Sequence, residues 1–476
     1  MTSFGPFRLG RLIQPIAVYR GKGNLFVDAE KGPDCEFLVA QWPDANIQLE
    51  CVLNEPSKDL LILTERKPSH LLGKIANGMD VEVLLDRVGA YSSSLTSSGE
   101  MYLCYLAQNL SVSVPHSSDL VRKLRFGLTN FELPVHKVTL QVPRRDVIVE
   151  RVQGYKERSE LVKSLRGIDV LSELSIEIYP DEELEEIKEL ADNLCCLFSL
   201  ARGIKINWIY YQAFDERGDI VGKYQRNVVV KPYSPFRLIA RGRPHDLKEF
   251  VEQTYPSFRK LKDRWLKDCC PQQPNSWWFC QAVDALADAK LEQDFLELRG
   301  LKLASLLEFI RSIYLEDTDK KYIVPKDEFE RNYRGLKRDV KQVLKSYFPE
   351  QTAKMCSHVQ GFKWTTFRQT VREMTEELGL SVSKDERDKL VKYRNNLVHR
   401  MSFFDEDEET SKDKRTEEDA FQAYRFMMSF VEKLLLAVLR YQGCYLDWTK
   451  HATWESDMRT PLSLDVNKTN WPAAYK

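Results

Sequence analysis

The chain has little of what marks several large classes of protein. Its 476 residues include 10 cysteines, too few for a disulfide framework, and no two of them have the C-x-x-C spacing of a zinc or thiol–disulfide site. Its seven histidines have no metal-ligand partner at helical spacing, which argues against a metal-dependent hydrolase. No run of about 18 apolar residues occurs, so we expect no membrane-spanning helix and no membrane partner.

An excess of charge of one sign is also missing. Lys and Arg number 70 and Asp and Glu number 71, which gives a formal net charge of −1. These numbers exclude a uniformly basic, histone-like surface but are compatible with a local basic groove. The N-terminus lacks the charged and apolar segments of a secretory signal, and we therefore expect a cytoplasmic protein.

The short motifs of the common nucleotide-binding and hydrolytic folds are absent as well. The chain contains no G-x-x-x-x-G-K-[S/T], G-x-G-x-x-G, G-x-S-x-G or H-E-x-x-H. We predict no cofactor. Apolar residues make up 43% of the chain and charged residues 30%, which is typical of a globular protein, and the length suggests about two to four domains.

Two regions of different character precede residue 244. Residues 1–143 predict a β-rich domain, an antiparallel sandwich or barrel, because short apolar runs such as Ile47–Leu53 alternate with turn residues such as those at 21–24. Residues 144–243 predict a small α+β region, formed by a helix and a hairpin. The helix is expected at 181–201, and the hairpin strands at 204–214 and 220–230.

The remainder of the chain is predicted to be helical, which makes the fold class α+β and multidomain. Residues 244–445 form an all-α domain in this prediction, and residues 446–476 a tail that packs on the body. The acidic segment at 403–417 is expected to be a solvated loop, although it could instead cover a phosphate site. The predicted helices lie at 244–267, 277–316, 325–347, 361–378, 383–402 and 418–441.

One predicted helix carries polar groups that its apolar pattern does not explain. Ser383 and Glu386 form a candidate capping box at its start. At about 100° per residue, Arg394 falls within an arc of apolar side chains, where a guanidinium needs a partner or a polar cleft. Asn395 and His399 lie one turn apart at the edge of that arc. The arc consists of Leu390, Val391, Tyr393, Leu397, Val398 and Met401.

These polar groups suit the cleavage of RNA. Arginine can hold two phosphate oxygens and stabilise charge in the transition state, and histidine can transfer protons at neutral pH. RNA supplies its own nucleophile, the 2′-hydroxyl, so neither a metal nor a protein nucleophile is required. A structural Arg394–carboxylate pair beside a surface histidine fits the same pattern and stays open as an alternative.

The segment YRNNLVH at 393–399 contains an R-x4-H motif on the penultimate predicted helix of an all-α region. In this respect the chain resembles the HEPN superfamily, and most of all the Apea-like abortive-infection proteins. The leucine-rich segment at 296–308, which ends in Glu308, is similar to an early helix of that branch, and the segment at 251–257 is similar to the stretch before it. The resemblance covers residues 244–445 and leaves the first 240 unmatched.

The resemblance implies a metal-independent endoribonuclease that works as a homodimer. Arg394 would bind and stabilise the scissile phosphate, His399 would act as general base or acid, and Asn395 would orient His399 or the phosphate. Tyr393 belongs to the same motif, and Glu308 is the expected resting partner of Arg394. Cleavage would leave a 2′,3′-cyclic phosphate and a 5′-hydroxyl.

We therefore expect a cytoplasmic, toxin-like antiviral effector that acts in abortive infection. Its substrate would be tRNA or mRNA, and residues 1–240 would sense a phage-derived trigger. Two other interpretations stay open. The helical domain could be a non-catalytic HEPN module that binds a nucleotide, RNA or a partner, or the chain could be a structural interaction protein.

Overall fold

A computed structural model describes residues 15–27, 30–53, 68–85, 91–95, 101–114, 121–165, 167–268, 277–404, 416–450, 454–465 and 470–472. The fold is α+β, with a large antiparallel sheet in the N-terminal half and helices in the C-terminal half. The chain divides into two compact units. The first extends to Arg237 and includes Arg241–Glu252, and the second comprises Leu238–Ala240 and the chain from Gln253 onward.

In the described residues of the first unit there are a 13-stranded sheet, the helices α1 (Tyr155–Leu165) and α2 (Leu184–Arg202), and the beginning of a helix that continues into the second unit. Strands from before and after residue 143 belong to this same sheet. They are β1 (Ala17–Val27), β2 (Glu30–Gln41), β3 (Ile47–Leu53), β4 (His70–Ile75), β5 (Asp80–Leu85), β6 (Tyr91–Leu95), β7 (Met101–Ser113), β8 (Lys123–Thr129), β9 (Lys137–Val142), β10 (Arg145–Arg151), β11 (Val170–Glu177), β12 (Trp208–Phe214) and β13 (Ile220–Arg226).

Strand β7 joins two parts of the sheet. The pairings run β3-β2-β1-β4-β5-β7, and β7 also pairs with β3, so this path closes on itself. From β7 the sheet continues through β13, β12, β8, β11, β10 and β9. Because side chains alternate between the two faces of a strand, each strand of the closed path contributes every second residue to one buried cluster. Phe37, Leu49, Val83 and Leu103 belong to this cluster.

The turn predicted at 21–24 is wrong, because these residues lie inside β1. Gly21 pairs with Ile75 of β4, and Gly23 pairs with Gly73. A side-chain carbon at Gly21 would overlap the backbone carbonyl of Lys74. The glycines therefore allow two strands to approach closely. In the sequence alone, glycines with this role cannot be distinguished from glycines in a turn.

The second unit is mainly helical, and the division between the units falls inside helix α3. The helices are α3 (Pro244–Asp268), α4 (Trp278–Ala289), α5 (Leu296–Thr318), α6 (Lys326–Tyr347), α7 (Thr352–Cys356), α8 (Phe367–Glu377), α9 (Lys384–Arg400), α10 (Glu417–Val438) and α11 (Glu455–Met458), with a 3-10 helix at Ser357–Lys363. Two short strands, β14 (Cys444–Leu446) and β15 (Arg459–Pro461), pair with each other.

The single helix predicted at 277–316 is wrong, because two helices, α4 and α5, occupy this segment. Lys290 lies just after α4 and is completely buried in an ion pair with Glu432 of α10. Burial raises the pKa of the Glu432 carboxyl, and the adjacent lysine opposes that shift. The break thus brings a lysine into the helical core, where its charge is matched by a carboxylate distant in sequence.

The predicted loop at 403–417 lies largely outside the described residues, which stop at Phe404 and resume at Thr416. Farther along the tail, Trp471 is completely buried, with its ring beside those of Tyr314 and Trp278. Across the described ranges, no helix is both long enough and apolar enough to cross a bilayer.

Candidate active site on helix α9

Helix α9 begins with a reciprocal capping interaction between Ser383 and Glu386. Ser383 Oγ accepts a hydrogen bond from the backbone N–H of Glu386 at 3.2 Å, and a carboxylate oxygen of Glu386 accepts one from the N–H of Ser383 at 2.8 Å. These bonds satisfy N–H groups that a helix leaves without internal partners. The predicted capping box is therefore confirmed. The helix ends at Arg400, before Met401 adopts a left-handed backbone conformation (φ 54°).

One side of α9 is buried against α5. Leu390 and Leu397 are completely buried, and Asn396 is nearly so. The side-chain amide of Asn396 donates a hydrogen bond to the backbone carbonyl of Phe403 at 3.2 Å, which ties the chain after α9 back to the helix. The ring of Tyr393 is in edge-on contact with Phe403, Phe404 and Phe426. Tyr393 therefore packs among aromatic rings in this structure.

The close approach of α9 to α5 depends on Gly300. A side-chain carbon at this position would overlap the ring of Phe403 and would lie 3.0 Å from a methyl group of Leu397. Because both neighbours are buried, neither can move aside without disturbing the core. Gly300 thus sets the distance between the helix that carries Arg394 and the helix that carries Glu308.

Gly300→Ala is expected to lower the free energy of unfolding by about 1–3 kcal/mol, the usual cost of overpacking a core. Gly335→Ala is the matched control, since Gly335 lies inside helix α6 with nothing within 4 Å of an added carbon. That control should raise stability by up to about 1 kcal/mol. Denaturant titration of both variants measures the difference, and equal stability for the two would contradict the packing described.

Arg394 extends from α9 toward α5, and both of its terminal nitrogens are occupied. Nη2 lies 2.5 Å from Glu308 Oε1, and Nη1 donates a hydrogen bond to Asn395 Oδ1 at 2.9 Å. The Nη2 contact is close but lacks the direction of a hydrogen bond, so charge is what holds it. The guanidinium also lies 5.0 Å from the ring centre of Phe367. Only 19% of the Arg394 side chain is exposed.

Glu308 binds a second arginine as well. Arg311 Nη1 donates to the other carboxylate oxygen of Glu308 at 3.1 Å. Two further bonds hold Arg311 in place, from Nη2 to the carbonyl of Thr365 at 2.8 Å and from Nε to the hydroxyl of Thr370 at 3.3 Å. Glu308 would therefore keep a cationic partner if Arg394 turned away, so releasing Arg394 does not leave an unpaired carboxylate.

His399 points in a different direction from Arg394. It is exposed near the end of α9, and within the described part of the chain it has no hydrogen bond or ion pair. Five residues on a helix correspond to a rotation of about 140° between the two side chains. Val398, which precedes His399, and Met401, two residues after it, are 40% and 52% exposed. An imidazole is thus available to solvent at a helix end that also exposes apolar side chains.

The structure brings together three of the five residues predicted for the site. Arg394, Asn395 and Glu308 form one contact group, and the predicted Arg394–Glu308 pair is present. His399 is separate from this group, and Asn395 contacts Arg394 instead of the imidazole. The predicted apolar arc is divided, with Leu390 and Leu397 buried but Val398 and Met401 exposed.

Sequence reasoning missed two members of the contact group, Arg311 and Phe367. Arg311 lies three residues after Glu308 on a helix, a spacing that could have indicated a shared ion pair. Phe367 starts a separate helix, α8, and nothing local in the sequence indicates that it meets Arg394.

In the described portion of the chain, no three His, Cys, Asp or Glu side chains are grouped so that they could hold a metal ion. The arrangement on α9 offers a guanidinium for an anion and an exposed imidazole for proton transfer. Comparison of the chain with protein-family models, curated protein sequences and solved structures finds no match.

Proposed function

We propose that the helical unit is a metal-independent endoribonuclease of the HEPN type. The observation that carries the proposal is that one helix presents an arginine held by an exchangeable carboxylate and, one and a half turns later, an exposed histidine. The R-x4-H motif at 394–399 supports the same assignment by resemblance. A role in abortive infection, with residues 1–240 sensing a phage-derived trigger, belongs to the same proposal.

In the proposed reaction, His399 accepts the proton of a ribose 2′-hydroxyl as that oxygen attacks the adjacent phosphorus. The bond from phosphorus to the 5′-oxygen breaks, and this oxygen leaves with a proton from solvent. Arg394 holds the non-bridging phosphate oxygens and stabilises the charge that develops on them. For this step Arg394 must leave Glu308, which remains paired with Arg311.

The proposed enzyme is a homodimer, because one copy of α9 does not easily place both groups on one phosphate. The two side chains diverge by about 140°. A two-fold axis beside α9 would bring Arg394 of one copy toward His399 of the other, and two-fold contacts are the commonest protein assembly. Val398 and Met401 provide exposed apolar surface for such a contact.

Cleavage of RNA by the purified wild-type protein is expected to continue at an unchanged rate in excess EDTA. The proposed chemistry draws its nucleophile from RNA and its charge stabilisation from Arg394, so chelation removes nothing that the reaction needs. The measurement is the cleavage rate of a labelled RNA with EDTA, with added Mg²⁺, and with His399→Ala protein as the negative control. Loss of activity in EDTA that Mg²⁺ or Mn²⁺ restores would sink the proposal.

A second candidate is a non-catalytic HEPN module that binds RNA, a nucleotide or a partner protein. The observation that favours it is that Glu308 and Asn395 already neutralise and engage Arg394, as in a structural ion pair. The same assay separates the two candidates. A module of this kind would bind RNA yet leave it intact in EDTA and in Mg²⁺ alike.

A further inference from the structure

Helix α6 (Lys326–Tyr347) carries most of its charged side chains on one side. From Arg331 to Tyr347 it has six cationic side chains and one anionic one. Its opposite side packs on α7 and the 3-10 helix at Ser357–Lys363. Phe329, Cys356 and Val359 are buried residues of this group of helices.

Five of the cations form a single row, which we call the basic stripe. They are spaced three or four residues apart, so at about 100° per residue they fall within about 80° of each other. At 1.5 Å per residue the row is about 21 Å long. All five are exposed. The basic stripe consists of Arg331, Arg334, Arg338, Lys341 and Lys345.

Carboxylates scarcely neutralise the basic stripe. Within the described residues, its one ion pair joins Arg338 to Asp339 at 3.4 Å, with side chains 81% and 69% exposed. An exposed pair of this kind contributes little. Like charges one turn apart destabilise a helix by about 0.2–0.5 kcal/mol per pair, and only at the start of the stripe do carboxylates one turn earlier, Asp327 and Glu330, offset this cost. A bound polyanion would reverse that effect.

We propose that the basic stripe binds the phosphate backbone of RNA and holds the substrate of the nuclease, an inference that rests on the proposed function. A single nucleic-acid strand carries one negative charge for about every 3.4 Å of its length. A row of cations about 21 Å long can therefore contact several phosphates. Phe348 follows Lys345, the last residue of the stripe, by three positions and is 49% exposed. An exposed aromatic ring near the end of a cationic track suits the stacking of an unpaired base.

The packing of α6 favours RNA over a membrane surface as the partner. A basic helix that binds a bilayer inserts its apolar side among the lipids. Here the first part of that side lies against α7 and the 3-10 helix, and its exposed apolar side chains, Val343 and Tyr347, are confined to the last turn and a half of α6. The charged side faces outward along the whole basic stripe, which fits a ligand that offers negative charge in a line.

The test measures RNA binding in a His399→Ala background, so that the RNA stays intact. A fluorescein-labelled single-stranded RNA is titrated by anisotropy at several salt concentrations. Arg338→Gln/Lys341→Gln should weaken binding by roughly tenfold or more and lower the slope of log affinity against log salt by about 0.7 for each cation removed. Lys137→Gln/Lys156→Gln changes the net charge equally, but on exposed lysines of the first unit, and should leave binding unchanged.

Equal RNA affinity for the stripe variant and the control variant would overturn the inference. Binding to phosphatidylserine vesicles is measured for the same two variants. If the stripe variant binds these vesicles less well but binds RNA normally, the RNA-binding inference is overturned as well. The outcome is independent of cleavage. If the wild type cuts no RNA but the stripe variant still loses RNA affinity, the nuclease proposal fails and the stripe assignment stands. If cleavage occurs and the stripe variant binds and cuts normally, only the stripe assignment fails.

Discussion

His399→Ala is expected to slow RNA cleavage by about 10²–10⁴-fold, the usual contribution of a general acid–base group. The fold should be unaffected, because His399 is exposed and contacts nothing that holds the helix in place. Arg394→Ala should slow cleavage by about 10²–10³-fold through loss of charge stabilisation. Arg394→Lys should also fail, since an ammonium lacks the planar fork that holds two oxygens.

Rates of RNA cleavage and denaturant midpoints for each variant are the measurements. His358→Ala is the matched control, since this imidazole is also exposed but lies on the 3-10 helix. It should cut at the wild-type rate. A well-folded His399→Ala protein that cuts RNA as fast as the wild type would remove His399 from the reaction, and with it the proposed mechanism.

Mixing inactive Arg394→Ala protein with inactive His399→Ala protein is expected to restore cleavage. If each site takes its arginine from one copy and its histidine from the other, a mixed dimer keeps one complete site of two. Random exchange makes roughly half of the dimers mixed, so activity should reach about a quarter of the wild-type rate. The gain over either variant alone is therefore large.

Two affinity tags, one on each variant, show whether mixed dimers form, and the cleavage rate of the doubly purified fraction is then measured. The control is a mixture of wild-type protein with the double variant Arg394→Ala/His399→Ala. In its mixed dimers, each composite site lacks either the arginine or the histidine. Restored activity in the first mixture alone supports a composite site. Mixed dimers that form but stay inactive would contradict it, and so would a wild-type protein that cuts RNA as a monomer.

Local patterns in the sequence predicted the elements on which the site lies. The capping box at Ser383 defines the start of α9, because the bonds that make it lie within four residues. The Arg394–Glu308 pair was predictable for a different reason. An arginine inside an apolar arc needs a partner or a polar cleft, and the family resemblance of the leucine-rich segment at 296–308 indicated Glu308 as that partner.

Long-range pairings were not predictable in the same way. The closure of the first unit depends on β7, which pairs with β3 and β5, and no local pattern records such partners. The glycines of β1 were mistaken for turn residues, because glycine occurs both in turns and where two backbones approach closely. The burial of Lys290 between two helices was not predictable either, because its partner, Glu432, lies far along the chain.

The basic stripe of α6 was available in the sequence and was missed. Its cations recur every three or four residues, as apolar residues do on a buried helix face. The near-zero net charge of the whole chain gave no indication of this local cluster. Its meaning still required the structure. Only the packing of α6 on α7 and the 3-10 helix distinguishes its outward side from a side that contacts protein.

The most direct test of the central claim is the fate of two RNAs that differ by one oxygen, both treated with wild-type protein in EDTA. One has ribose throughout, and the other has a single 2′-deoxyribose at the cleavage position. Only the first RNA is expected to be cut, with products that carry a 2′,3′-cyclic phosphate and a 5′-hydroxyl. Cleavage of the deoxy-substituted RNA at that position, or products with a 3′-hydroxyl and a 5′-phosphate, would contradict the claim.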